Sequence, residues 1–391
     1  MLNTSLSPWP SFTQEEADAV SKVLLSNKVN YWTGTECREF EKEFAAFAGT
    51  QYAVALSNGT LALDVALKAM GIGAGDDVIV TSRTFLASAS CIVTAGANPV
   101  FADVDLNSQN ISAETIKAAL TPNTKAVIVV HLAGMPAEMD GIMDLAKEHD
   151  LWVIEDCAQA HGAKYKGKSV GSIGHIGAWS FCQDKIMTTG GEGGMVTTND
   201  KELWRKMWSY KDHGKSYDAV YHREHAPGFR WLHESFGTNW RMMEMQAVIG
   251  RIQLKRMPEW TARRQAHAAK LAESLGKFAS IRLIEVADYI EHAQYKFYAF
   301  VKPEHLKEGW TRDRIVNELN ARKVPCYQGS CSEVYLEKAF DNTPWRPKER
   351  LKNAVELGDT SLMFLVHPTL TDDEIAFCKE HIEAVLAEAT A

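Results

Sequence analysis

At 391 residues the chain is longer than one hydrophobic core ordinarily supports, so two domains are expected. Its 46% hydrophobic and 24% charged residues suit a globular protein, and a formal net charge of −8 argues against nucleic-acid binding, which needs clustered Lys and Arg. No apolar run is long enough to span a bilayer, and the start Met1-Leu-Asn-Thr-Ser-Leu-Ser-Pro8 has neither basic residues nor an apolar signal core, so no membrane partner is expected.

In chain order, Thr13-Gln-Glu-Glu16 is a capping box that opens a helix to about Leu25. A second helix is expected over Thr35 to Ala48, with Phe40, Phe44 and Phe47 near helical spacing. Strand-like runs follow at Tyr52–Leu56, Asp77–Thr81, Pro99–Val104, Ala126–His131 and Trp152–Glu155. Helical stretches lie between them at Leu61–Met70, Leu86–Ala95, Ala113–Leu120 and Ile142–His149. Ile176–Phe181 and Met195–Thr198 read as two more strands around a glycine-rich turn. This alternation predicts an α/β fold with a mostly parallel sheet covered by helices.

Beyond Lys211–Phe236, a polar and aromatic connection longer than most, the pattern changes near Met257. A helix over Glu259–Leu275, a strand over Lys296–Val301 and helices over Thr311–Asn320 and Asp372–Ala389 predict a smaller α+β domain. The expected division is therefore residues 1–257 and 258–391. The seven cysteines, Cys37, Cys91, Cys157, Cys182, Cys326, Cys331 and Cys378, are scattered and contain no C-x-x-C pair. They indicate neither a disulfide framework nor a zinc site, and they fit a reducing cytoplasm. No histidine falls in H-E-x-x-H spacing, so no metal is expected.

Three separate segments carry complementary chemistry. In Trp179-Ser-Phe-Cys-Gln-Asp-Lys185-Ile-Met-Thr-Thr-Gly-Gly-Glu-Gly-Gly194, a lysine follows a strand and precedes a glycine-rich turn. Glycine permits close approach of a ligand, and a desolvated or cation-flanked ε-amine loses its proton readily and forms a Schiff base. Alone, such a lysine is more often a surface charge on a turn. In Leu151-Trp-Val-Ile-Glu-Asp156-Cys-Ala-Gln159, an apolar strand ends in a carboxylate, at the edge where open α/β sheets bind ligands. Pyridoxal phosphate (PLP) needs a carboxylate against its pyridine nitrogen, a role that Asp156 fits; a helix cap is the plain alternative. In Ala55-Leu-Ser57-Asn-Gly59-Thr60-Leu-Ala-Leu, a strand gives way at once to a helix whose first N–H groups and Thr60 hydroxyl suit a phosphate. A capped β-turn is the more frequent explanation for any single S-N-G-T.

Together with Gly34 ahead of Phe40-Glu41, Thr84-Phe85, Pro99-Val-Phe-Ala-Asp103, His131-Leu-Ala-Gly134, Ser180-Phe181, His213-Gly214 and Gly237-Thr-Asn239-Trp-Arg-Met242, these segments resemble the DegT/StrS-type sugar aminotransferases from Thr13 to near the C-terminus. The resemblance implies the fold-type-I PLP architecture: a large domain with a mostly parallel sheet and a smaller α+β C-terminal domain. It implies that Lys185 bears the cofactor, Asp156 pairs with the pyridinium, and Phe85 stacks on one ring face. Ala158 would line the other face, Gln159 would touch the phenolic oxygen, and Gly59, Thr60 and Ser180 would hold the phosphate. Asn239 would reach the cofactor phosphate of a neighbouring subunit, so a homodimer with shared sites is implied. The implied reaction moves an amino group from L-glutamate to a keto-sugar in two half-reactions. Some relatives dehydrate their substrates and carry His in place of the lysine; Lys185 favours transamination.

One departure bears on the substrate. Many relatives have an apolar or aromatic residue where Arg83 stands in Thr81-Ser82-Arg83-Thr84-Phe85. Arg83 is therefore a candidate partner for an anionic group of the sugar, such as the carboxylate of an 8-oxo-3-deoxy-octulosonate; a solvated or structurally paired Arg is the alternative. Arg241 is a further candidate substrate contact. Two rivals remain at this stage, an NAD-dependent oxidoreductase and a non-catalytic relative of the same fold. Gly71-Ile-Gly73-Ala-Gly75 follows a helix rather than a strand, which argues against the first. Lys185, Asp156 and the phosphate loop together argue against the second.

Overall fold

The computed structural model describes residues 6–228 and 230–391. Helix α1 (Gln14–Leu25) opens on the expected capping box, with Glu16 reaching back to the Thr13 N–H. Helix α2 (Glu36–Ala48) buries Phe40 and Phe44 against the aromatic core. Then β1 (Tyr52–Leu56), α3 (Gly59–Met70), β2 (Asp77–Thr81), α4 (Ala87–Thr94), β3 (Asn98–Ala102), α5 (Ala113–Ala119), β4 (Thr124–Val130), α6 (Met139–Glu148) and β5 (Trp152–Asp156) alternate as the sequence pattern requires. Gly71 ends α3 at φ 75°, so the Gly71–Gly75 stretch is a helix C-cap rather than a dinucleotide loop.

After a short hairpin of β6 (Lys164–Tyr165) and β7 (Lys168–Ser169) come β8 (Ile176–Ser180) and β9 (Gly194–Thr198). The seven-stranded sheet has the order β1-β9-β8-β5-β4-β2-β3, and only β9 runs against the others. Strands β1, β8 and β9 are buried almost throughout, as a sheet covered on both faces demands. Helices α7 (Lys201–Tyr210) and α8 (Tyr217–Tyr221) follow. Trp208 is buried in the α3-facing core, while Trp204 stacks on Tyr52 at 4.9 Å, so this pair packs the helix.

Helix α9 (Glu244–Leu275) begins at Glu244 rather than Glu259 and runs unbroken past Pro258. Proline usually ends a helix, but Ala247, Gly250 and Met257 before it and Trp260, Arg264 and Ala268 after it are all buried along one rod, and this packing outweighs the missing hydrogen bond. Residue 257 thus falls inside a helix. Beyond it, β10 (Ile281–Leu283), β12 (Phe297–Val301), β13 (Cys326–Tyr327) and β14 (Ser361–Phe364) form an antiparallel sheet in the order β10-β12-β14-β13. Strand β11 (Ile290–Glu291) joins the β6–β7 hairpin. Helices α10 (Arg312–Ala321), α11 (Lys352–Thr360) and α12 (Asp372–Ala389) complete the chain. One core cluster belongs to this second unit, yet another mixes Tyr298, Phe300, Leu357 and Met363 with Ile79 and Val129 of the large sheet. Among the described residues no helix is long and apolar enough to cross a membrane.

Candidate active site

The carboxyl ends of β1, β2, β4, β5 and β8 lead into the segments that the sequence singled out. Asp156 ends β5 and is buried; its Oδ1 accepts from the Ala158 N–H at 3.1 Å and its Oδ2 from the Ser88 hydroxyl at 2.8 Å. Ser88 in turn shares a 2.9 Å hydrogen bond with the Thr84 hydroxyl. Both hydroxyls lie beside Phe85, whose ring is 71% exposed at the start of α4. An exposed aromatic ring and a buried carboxylate on neighbouring strand ends suit a flat, basic heterocycle.

Ser180 ends β8, the parallel neighbour of β5. A Cβ on Gly59 would overlap Ser180, and one on Gly194 would overlap the Asn58 backbone. Only glycine lets the start of α3 sit this close to β8 and β9. The Asn58 side chain accepts from the Leu61 N–H at 3.0 Å, which leaves the earlier amides of α3, with Thr60, at an exposed helix N-terminus. This cradle fits a phosphate.

Lys185 is half-buried in the connection from β8 to β9. Its backbone N–H donates to the Cys182 carbonyl at 3.1 Å, and its own carbonyl accepts from the Trp9 indole at 2.9 Å. Its Nζ lies 5.4 Å from the centre of the Tyr295 ring, and the Tyr295 hydroxyl donates to Asp184 at 2.5 Å. Ala158 and Gln159 follow Asp156 and are half-buried. The Gln159 carboxamide oxygen accepts from the Ala133 N–H at 2.8 Å, so its NH2 end is the one available to an acceptor such as a phenolate.

Glu155, adjacent to Asp156, faces the other way as strand alternation requires. Its Oε2 takes the Gly171 N–H at 2.8 Å and His131 Nε2 at 3.0 Å, and its Oε1 takes the N–H groups of Ile173 and Gly174 at 2.8 and 2.6 Å. The Ala137 N–H donates to His131 Nδ1 at 3.0 Å, so the ring proton sits on Nε2 and points at Glu155. Burial by itself would raise the Glu155 carboxyl, but His131 and these backbone donors outweigh it and hold it below the usual range. Cys157 Sγ lies within 4.8 Å of both groups. Glu155 accepts four donors and His131 Nδ1 a fifth, so the ligand atoms of these two residues are engaged in a hydrogen-bonded clamp.

Arg83 is not at an open site. It is fully buried, with Nε donating to Gln109 at 3.1 Å, Nη2 to the Ser361 hydroxyl at 3.2 Å and Nη1 to the Ser330 carbonyl at 3.5 Å. The expected pairing with a substrate anion gives way to the structural alternative: Arg83 ties β2 to the C-terminal unit. Arg241 is engaged within the chain as well, its Nη1 donating to Asp212 Oδ1 at 2.8 Å. That carboxylate also takes Lys215 Nζ at 2.7 Å. Asn239 is exposed and its backbone pairs with Asp212. The residues that follow it run beside the end of β1, where the Ser57 N–H donates to the Trp240 carbonyl at 3.0 Å and Leu56 pairs with Arg241.

Sequence reasoning missed Ser88, which fixes Asp156, and the buried group of Arg264, Lys296 and His367 near Lys185. No local pattern marks these residues, because they meet only through the fold.

The fold is that of PLP-dependent aminotransferases. The profile of the DegT/DnrJ/EryC1/StrS aminotransferase family matches residues 10–383, and the chain belongs to that family. It is 43% identical over 363 residues to a UDP-N-acetyl-3-dehydro-alpha-D-glucosamine 3-aminotransferase of Acidithiobacillus ferrooxidans, covering 91% of this chain and 90% of that one. It is 41% identical over 286 residues to the GDP-perosamine synthase of Caulobacter vibrioides, covering 72% and 73%. Among solved structures, an aminotransferase from Psychrobacter cryohalolentis superposes with a TM-score of 0.96 at 66% identity, over 98% of this chain and 99% of that one. The protein is a transaminase of the sugar-aminotransferase family, and its cofactor is pyridoxal phosphate.

Proposed function

We propose that this enzyme moves the amino group of L-glutamate onto the keto carbon of a sugar, in the formation of amino-sugars for lipopolysaccharide, O-antigen or related polymers. The observation that carries this reading is the convergence of Lys185, buried Asp156 and the Gly59–Ser180 cradle at the carboxyl ends of one sheet. When bound there, the cofactor supplies an electron sink that stabilises negative charge on the substrate carbon.

The chain's own residues do the rest. Asp156, fixed by Ser88 and Ala158 N–H, keeps the ring nitrogen protonated. Gln159 would donate to the phenolic oxygen, and Phe85 and Ala158 would line the ring. Gly59, Thr60 and Ser180 would hold the phosphate, and Asn239 would reach the phosphate in the second subunit of a homodimer. Lys185 would bear the cofactor, and its Nζ, when free, would take and return the proton at the substrate carbon.

A nucleotide-linked keto-deoxyhexose is favoured as acceptor, because the relatives named above act on GDP- and UDP-sugars. A free keto-ulosonate, such as an 8-oxo-3-deoxy-octulosonate, is the second reading. We place the enzyme in the cytoplasm, and we keep the division into a large unit to residue 257 and a small one from 258, joined through α9. The test is to incubate the holoenzyme with L-glutamate, confirm release of 2-oxoglutarate, and then offer keto-sugars of both classes. Borohydride reduction followed by peptide mass spectrometry must place the pyridoxyl group on Lys185. A pyridoxyl group elsewhere, or no 2-oxoglutarate, rejects the reading.

A further inference from the structure

Arg264 of α9 is 1% exposed, and among the described residues no carboxylate pairs with it. Its Nη1 donates to the Tyr295 carbonyl at 3.3 Å, whereas Nε and Nη2 have no hydrogen-bond partner among the described residues. Those two nitrogens form the side edge of the guanidinium, a pair of parallel N–H donors spaced to meet both oxygens of one carboxylate. Leaving that edge unpaired inside a protein is costly, and a structure keeps such an edge where something anionic meets it.

The surroundings point the same way. Lys296 is half-buried, its Nζ 4.7 Å from the centre of the Tyr295 ring that also lies 5.4 Å from Lys185 Nζ. The Arg264 guanidinium sits 5.0 Å from the Trp9 ring, and His367 stacks on Trp9 at 6.0 Å. Trp9 in turn holds the Lys185 carbonyl. Against the three cations Lys185, Lys296 and Arg264 stands one carboxylate, Asp184, already bonded to Tyr295. Burial pushes Lys296 down to about 8 although Asp184 opposes it, and pushes Arg264 down to about 9. Burial and the neighbouring cations Arg264 and Lys296 hold His367 down at about 3. The group carries excess positive charge, and around buried Arg264 an anion would be held more strongly than in water.

We propose that Arg264 and Lys296 form a carboxylate subsite beside Lys185, with Arg264 gripping both oxygens along its unpaired edge and Lys296 supplying the second charge. The inference rests on the proposed function and deepens it, since L-glutamate carries two carboxylates and a keto-ulosonate one. Arg83, the cation that the sequence offered for this task, has its nitrogens committed elsewhere.

The test uses cofactor-loaded protein and two unreactive probes, glutarate and its uncharged diamide. Calorimetry should show glutarate binding to the wild type, weakened at least about tenfold in Lys296→Gln and Arg264→Lys, with the diamide unaffected. In single-turnover half-reactions the same variants should raise a half-saturating concentration about tenfold while the limiting rate stays within about twofold. A rise confined to the L-glutamate half-reaction assigns the subsite to the donor; a rise confined to an acidic keto-sugar assigns it to the acceptor. Should Arg264→Lys not fold, Lys296→Gln, at a half-buried position, carries the test. Equal glutarate affinity in wild type and Lys296→Gln, or limiting rates that drop with unchanged half-saturation, overturns the proposal. If wild-type enzyme binds glutarate in this charge-dependent way but releases no 2-oxoglutarate from L-glutamate, the donor assignment fails while the subsite stands.

Discussion

The hydroxyl of Ser88 donates to Oδ2 of Asp156 at 2.8 Å and so ties the first turn of α4 to the end of β5. This bond fixes one carboxylate oxygen in a buried setting. Asp156→Asn should lower the transamination rate by about a hundredfold or more, because an amide cannot hold a proton on the ring nitrogen. Ser88→Ala should cost far less, about tenfold, since it removes orientation and not charge. Stopped-flow rates for the two variants decide it; equal losses would mean that Asp156 acts only through its hydrogen bond.

Lys185→Ala should reduce transamination at least about a thousandfold and abolish the borohydride-trapped adduct. The fold should survive, because the Trp9 indole bonds the main-chain carbonyl of residue 185 and not its side chain. A variant that still aminates the sugar would remove Lys185 from the chemistry.

Gly59→Ala forces a methyl group into Ser180 at the start of α3. The strain of overpacking is about 1–3 kcal/mol. It should appear as a lower melting temperature and as faster loss of cofactor on dialysis. Unchanged retention would show that the cradle does not depend on this close approach.

Glu155 makes its contribution through a lowered folded-state carboxyl, so the sign of its pH effect is fixed. The stabilisation is fully present above the unfolded value of 4.5 and is lost as pH falls through the lower folded value. Glu155→Gln turns an NH2 group towards donors and should cost about 3–5 kcal/mol at neutral pH. Its stability should also vary less with pH on the acid side. Urea melts at several pH values test both points, and parallel acid limbs for the two proteins would refute the assignment.

Arg83→Met should destabilise the protein by about 2–4 kcal/mol, because Gln109, Ser330 and Ser361 lose a buried donor. The half-saturating concentrations of glutamate and keto-sugar should move together. A rise for the keto-sugar alone would restore Arg83 to the substrate.

Much of the fold was legible in the sequence because its signals are local. The capping box at Thr13, the apolar runs of β1 to β5 and the glycine turn after Lys185 each lie within a few residues, and each formed where expected. The start of α9 was not legible. Pro258 looks like a helix boundary in one dimension, and only the shared burial on both sides of it makes one rod.

The same division holds for the site. By itself the sequence determined that a lysine, a carboxylate and a helix N-terminus sit at strand ends, since strand direction and the following turn place them there. Only tertiary structure decided how the cations are used. Arg83 meets Ser361 across 278 residues, and Arg264 is left with an unpaired edge by the way α9 packs beside Tyr295 and Trp9. A guanidinium is identical in any sequence window; whether it ties two units together or waits for a substrate anion depends on which acceptors the fold brings within about 3 Å of its nitrogens.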